Sequence, residues 1–153
     1  MTSLEHKIPP GALLIAAAVA MWVVARALPA LTLAIPWNQG LALACTIGGA
    51  SFILAGGYEF RRAHTTVDPT RPEAASAIVT RGVYRISRNP MYVGFALLLL
   101  AWGLHLAHTL AFFLVPGYVA YLNRFQIEPE ERALLQKFGD AYASYARAVR
   151  RWV

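Results

Sequence analysis

The sequence predicts an all-α integral-membrane bundle of four transmembrane helices, with a cytosolic loop and an amphipathic helical tail. Three observations predict it. The 153 residues are 58% hydrophobic and only 14% charged, against about 25% charged in an average soluble domain. Apolar runs of about membrane-crossing length recur between Pro, Gly and Trp markers. The charges are sorted: of fourteen Lys and Arg, all but Lys7 and Arg26 fall between Glu59 and Pro90 or after Asn123. No Lys, Arg, Asp or Glu occurs between Gly94 and Asn123. This is the positive-inside pattern of a membrane protein, so the net charge of +6 calls for no nucleic-acid partner. The length fits a single domain, 1–153. One cysteine, Cys45, permits no intrachain disulfide.

The elements follow in order. A polar tail with Glu5, His6 and Lys7 precedes Pro9-Pro10-Gly11, which punctuates a helix start. The first span covers about 11–33. A signal peptide cut near Ala25-Arg26-Ala27 is the rival reading, disfavoured by the hydrophobic segments that follow. Pro36 to Gly40 is a loop, with Trp37 suited to an interface. The second span, 41–58, carries Cys45, Gly49 and Gly56 at helical spacing, which permits close helix packing. The cytosolic loop 59–89 is broken at Asp68-Pro69 and Arg71-Pro72. Ala74–Val79 within it reads as a short interfacial strand or turn.

Pro90 opens the third span, 90–107, because its missing N–H would be unbonded there anyway. Asn89 is then the natural N-cap. His105 and His108 fall at the far interface, where hydration is a better reading than metal ligation, since no carboxylate or Cys accompanies them. The fourth span, 109–125, contains Pro116-Gly117 as a kink candidate. In the tail, 126–153, Leu135, Phe138, Tyr142, Tyr145, Val149 and Trp152 recur at steps of three or four. Gly139-Asp140 splits this stripe into two helices. An even number of spans places both termini on the cytoplasmic side of a multi-pass protein, in a bacterial inner membrane.

Two polar clusters meet on that side, joined by one helical hairpin. The first is Arg81–Tyr92. Unpaired N–H groups and the positive end of the helix dipole at Pro90 make an anion site beside Arg88. Gly94, one turn in, lets a ligand or neighbouring helix approach the backbone. The second cluster is Glu128-Pro129-Glu130-Glu131. Glu131 shares the apolar face with Leu134, Leu135 and Phe138 and so points inward, whereas Glu128 can pair outward with Arg132. An inward Glu at a membrane mouth needs a cation, from Arg88 or from a ligand. A ligand bearing an ammonium, a sulfonium and a carboxylate would use both clusters; S-adenosylmethionine is one.

The runs TTVDPTRP…AIVTRGVYRISRNPMYVG and EPEERALLQKFGDAYASYARAVRRW resemble the isoprenylcysteine carboxyl methyltransferase and phospholipid methyltransferase superfamily, over about residues 56 to 153. The arginine–histidine–proline–x–tyrosine motif of that family matches Arg88, Pro90 and Tyr92, with Asn89 in place of the histidine. Its paired glutamates match Glu130 and Glu131. The resemblance implies that these residues, with Tyr84 and Gly94, line the pocket for S-adenosylmethionine, with Arg88 and Glu131 as the candidate catalytic pair. It implies methyl transfer to a lipophilic or prenylated acceptor drawn from the bilayer. Carboxylate O-methylation is the first reading and phospholipid amine N-methylation the alternative. A membrane reductase using NADPH and a non-enzymatic membrane scaffold are the rivals from other classes. The first has no recognisable dinucleotide loop, and the uncharged stretch from Gly94 to Asn123 argues against a transport role for the second. The phase of Glu131 predicts that Glu131→Ala weakens S-adenosylmethionine binding more than Glu128→Ala does. Equal losses in a calorimetric titration would remove the argument.

Overall fold

The computed structural model describes residues 8–63 and 77–153. The polar tail at Glu5–Lys7, the breaks at Asp68-Pro69 and Arg71-Pro72, and the start of the Ala74–Val79 segment lie outside the described residues. The chain is all-α: α1 (Pro10–Ala27), α2 (Asn38–Arg62), α3 (Pro90–Leu106), α4 (Thr109–Leu122), α5 (Glu128–Phe138) and α6 (Asp140–Ala148). A π-helical turn at Asn123–Ile127 joins α4 to α5.

The four-span bundle is not what forms. Among the described residues, two helices are long and apolar enough to cross a membrane, α1 with 18 residues and α2 with 25. Helix α3 has 17 residues and α4 has 14. At about 1.5 Å per residue, α4 reaches about 21 Å, short of the roughly 30 Å hydrocarbon core. Counting apolar letters overestimated the first and fourth helices and underestimated the second, because local geometry and not composition sets where a helix begins and ends. Leu28 leaves helical space before Pro29, as a residue preceding proline tends to, so the first helix stops well before Leu33. Ala107 turns left-handed (φ 45°) and closes α3. Helix α3 is also internal to the fold. It buries Tyr92, Val93, Gly94, Leu99, Ala101 and Gly103 against its neighbours, in the manner of a globular helical core.

The closest pairing is between α2 and α3, and glycines set it. A Cβ on Gly94 would lie 2.6 Å from the Gly49 carbonyl, and one on Gly49 would lie 2.8 Å from the Gly94 carbonyl. One on Gly56 would sit 2.7 Å from Met91. The small residues of α2 thus serve helix packing. On the other flank, Met21 of α1, Tyr92 and Leu99 of α3, Ala111, Tyr118 and Leu122 of α4, and Ile127 form the buried core. Trp102 Nε1 donates to the Ala18 carbonyl at 3.0 Å. Helices α1 and α2 turn Ile15, Trp22, Leu43, Ile47 and Leu54 outward, an apolar surface consistent with membrane association.

His105 stays exposed, as the hydrated reading expects, and His108 does not. His108 is fully buried, and its Nε2 donates to the Leu28 carbonyl at 2.9 Å, tying the end of α1 to the α3–α4 turn. His105 stacks on Trp102 and bonds Gln39 at 3.1 Å. Pro116 lies inside α4 without ending it; the irregularity comes later, in the π-helical turn. Gly139 divides the tail as the pattern predicts, with φ 55°, a conformation that glycine adopts without penalty.

Gly94→Ala is expected to destabilise the fold by about 1–3 kcal/mol, since the new methyl must push α2 away. Gly117→Ala meets nothing within 4 Å, so it should be neutral or stabilising by up to about 1 kcal/mol. Thermal unfolding in one detergent compares them; equal melting temperatures would contradict the contact.

Candidate active site

The site is assembled where the start of α3, the start of α5 and the residues after α6 converge. Three consecutive residues ahead of α3 dock onto the chain end beyond α6. Ser87 Oγ accepts the Asn89 N–H at 3.0 Å and donates to the Arg151 carbonyl at 3.2 Å. The Arg88 N–H donates to the Arg150 carbonyl at 2.9 Å. Asn89 Nδ2 donates to the Arg151 carbonyl at 3.0 Å. Asn89 therefore occupies the N-cap position of α3, but its side chain caps no helical N–H. The amide is drawn to the chain end instead. Pro90 is the buried first residue of the helix.

Glu131 is the centre of the charge arrangement. Arg88 Nη2 lies 2.8 Å from Glu131 Oε1, and Arg151 Nη2 lies 2.6 Å from Oε2. Arg151 Nε also donates to Oε1 at 3.2 Å. The other terminal nitrogen of Arg88 donates to the Ala146 carbonyl of α6 at 2.9 Å. Only 18% of the Glu131 side chain and 13% of the Arg88 side chain meet solvent. In such a setting an unpaired charge costs far more than a paired one. Glu128, one turn back, faces outward and pairs with Arg124 at 2.9 Å.

Glu130 points elsewhere. Tyr92 donates its hydroxyl to Glu130 Oε1 at 2.5 Å, a side-chain link between the body of α3 and α5 made by one residue of each sequence motif. Burial pushes the Glu130 carboxyl up to about 8; the Tyr92 bond opposes this, and the neighbouring Glu131 charge adds to it. Tyr84 is buried, stacks edge-on against Phe60 and accepts the Tyr145 hydroxyl on its carbonyl at 2.8 Å.

The structure thus brings Arg88, Asn89, Tyr92, Glu130 and Glu131 together and places Tyr84 and Pro90 beside them. Gly94 is turned to α2. Sequence reasoning missed Arg151 and Ser87. The available signal was the need of an inward Glu131 for cations, which one arginine meets less fully than two. Arg151 itself reads only as one more basic residue of the tail.

A cleft of about 560 Å³ opens between α5 and α6, walled by Arg88, Glu131, Leu135, Tyr142, Ala146 and Arg147 among others. Its chemistry fits S-adenosylmethionine. Guanidinium groups suit a carboxylate, Glu128 and Glu131 suit an ammonium or sulfonium, and Leu135 with Tyr142 offers apolar and aromatic surface for the remainder.

The two protonation ranges of Glu130 yield a stability test. Its folded value of about 8 lies above the ordinary 4.5, so between these values the folded chain holds a proton that the unfolded chain releases. Stability is then highest below that window, falls as pH rises through it and levels off above it. Glu130→Gln cannot ionise, so its melting temperature should gain on the wild type from about pH 5 to about pH 8. Parallel melting curves across this window would contradict the placement of Glu130.

The comparisons with known proteins agree with this geometry. A family model described as phospholipid methyltransferase matches residues 37–141. An uncharacterized protein of Haemophilus influenzae is 46% identical over 63 residues, which are 41% of this chain and 100% of that relative. No solved structure matches. The matched region runs from the start of α2 through α5 and contains the Arg88–Tyr92 motif and the paired glutamates Glu130 and Glu131. The chain therefore belongs to the phospholipid methyltransferase family, as an S-adenosylmethionine-dependent methyltransferase acting on a lipid-related substrate.

Proposed function

We propose that the protein N-methylates the amine headgroup of a phospholipid at a membrane surface. The observation that carries this reading is the unequal treatment of the two charges that an acceptor could meet. Arg88, the group that would orient an acceptor carboxylate, is held on Glu131 and on the Ala146 carbonyl. Glu130, the group that would receive an amine, is held by a neutral phenol, and burial pushes its carboxyl up to about 8. The family assignment points the same way. Carboxylate O-methylation, the first reading from the motifs, would require Arg88 to leave its carboxylate partner.

In this reading the clamp of Arg88, Glu131 and Arg151 holds the start of α3 against the tail. Tyr84, Asn89 and Pro90 stand beside it, and Gly94 serves the site by seating α3 on α2. Bound S-adenosylmethionine supplies a methyl group already activated on a sulfonium, so the protein chiefly positions the two reactants and keeps water out. The bilayer delivers the acceptor. Helices α1 and α2 cross the bacterial inner membrane, and both termini and the site face the cytoplasm, where S-adenosylmethionine is available.

Labelled methyl transfer from S-adenosylmethionine into vesicles tests this directly. Phosphatidylethanolamine is expected to accept the label, and phosphatidylglycerol and a prenylcysteine carboxylate are not. Inverted membrane vesicles should be active while sealed right-side-out vesicles are not. Label in the prenylcysteine methyl ester alone would overturn the amine reading.

A further inference from the structure

We propose that Arg147 of α6 is a cofactor-binding residue, whose guanidinium receives the carboxylate at the amino-acid end of S-adenosylmethionine. This rests on the cleft between α5 and α6 holding that cofactor, and not on the amine reading. The walls of the cleft are two helix stripes. Glu128, Glu131, Arg132 and Leu135 share one face of α5 at helical spacing. Tyr142, Ala143, Ala146 and Arg147 make the facing stripe of α6. Arg88 bridges the walls, since it bonds Glu131 on one and the Ala146 carbonyl on the other. Arg147 follows Ala146 directly and so stands at this bridged level. Leu135 and Tyr142 lie nearer the break at Gly139.

Charge matching singles out Arg147. A carboxylate entering a cleft walled by two glutamates is repelled unless a cation answers it. Arg88, Arg132 and Arg147 line the cleft. Arg88 has both terminal nitrogens committed, to Glu131 and to the Ala146 carbonyl, and its Nε is buried. Arg132 has an interaction of its own within the chain. Arg147 donates from Nη2 to the Ser144 hydroxyl at 3.0 Å, one turn back in its own helix. Among the described residues it has no carboxylate partner. A guanidinium carries five N–H donors in a planar fork. The Ser144 bond therefore steadies Arg147 and leaves donors for a two-pronged bond to a carboxylate. Ala143 and Ala146 beside it carry only methyl groups, which keeps this part of the wall open. An amino-acid end is a zwitterion and needs both signs: Glu128 and Glu131 supply the acid on the α5 wall, and Arg147 supplies the cation on the α6 wall. Arg147 lies beyond the matched residues 37–141, so its place in the cleft, and no family motif, carries the assignment.

The test is calorimetric titration of the full chain in detergent with S-adenosylhomocysteine and with its decarboxylated analogue. The analogue keeps the adenosine, the thioether and the amine. Wild type should bind S-adenosylhomocysteine about tenfold or more tighter than the analogue, the worth of a charge-assisted pair. Arg147→Gln should lose about that factor for S-adenosylhomocysteine and bind the analogue within about twofold of wild type, because the variant and the analogue remove the same contact. An Arg147→Gln that weakens both ligands alike shows a structural role and overturns the assignment. An Arg147→Gln that binds S-adenosylhomocysteine as wild type does also overturns it, while leaving S-adenosylmethionine as the cofactor. Should Arg147→Gln fail to fold, Arg147→Met keeps the apolar stem without the charge and is read in the same way. A wild type that binds neither ligand sinks the cleft reading itself, and the role of Arg147 with it.

Discussion

The ion pair on which the site depends is Glu131 held between Arg88 and Arg151. Its energetics explain why three distant segments stay together. A carboxylate withdrawn from water is tolerated when guanidinium groups satisfy both of its oxygens. Here each guanidinium brings its own backbone with it. Arg88 brings the start of α3 and, through the Ala146 carbonyl, the end of α6. Arg151 brings the residues beyond α6, whose carbonyl is then bonded by Ser87 and Asn89. Loss of one member leaves a charge with poor access to solvent, so the three behave as one unit.

The clamp works because the helices beneath it are already fixed. The α2–α3 approach at Gly49 and Gly94 leaves no room for side chains between the two backbones, which sets the height and direction of α3. Aromatic and aliphatic packing between α1, α3 and α4 holds the other side. Tyr92 belongs to both layers: its ring is in the core and its hydroxyl reaches Glu130. The position of Glu130 is therefore tied to core packing through Tyr92. The outward apolar faces of α1 and α2 leave the opposite surface to lipid.

Much of this was legible in the residues alone. Pro90 as a helix start, Gly139 as the break in the tail, the close-packing glycines of α2 and the meeting of the two polar clusters all follow from local rules. The inward direction of Glu131 followed from periodicity. What could not be read has a common cause, which is tertiary contact overriding local preference. Asn89 has the chemistry of a cap but finds a carbonyl 62 residues away. His108 looks like an interfacial residue, yet a carbonyl of α1 gives it a buried partner. Arg151 has no sequence signal that pairs it with Glu131. Helix lengths failed for a related reason: apolar composition continues past Ala27, while the helical backbone does not, and the fourth helix gives way to a π-helical turn at Asn123.

The π-helical turn at Asn123–Ile127 carries a further consequence. Such a turn closes i→i+5 bonds and so holds one residue more than an α-helical turn. Each residue rotates a helix by about 100°. The direction of α5 around its axis, relative to α4, is therefore set by one surplus residue. That residue decides which of two chemically identical neighbours meets the phenol and which meets the arginines. The division that turns Glu131 to the arginines and Glu130 to the phenol is written in the register of the turn before them and not in the side chains themselves.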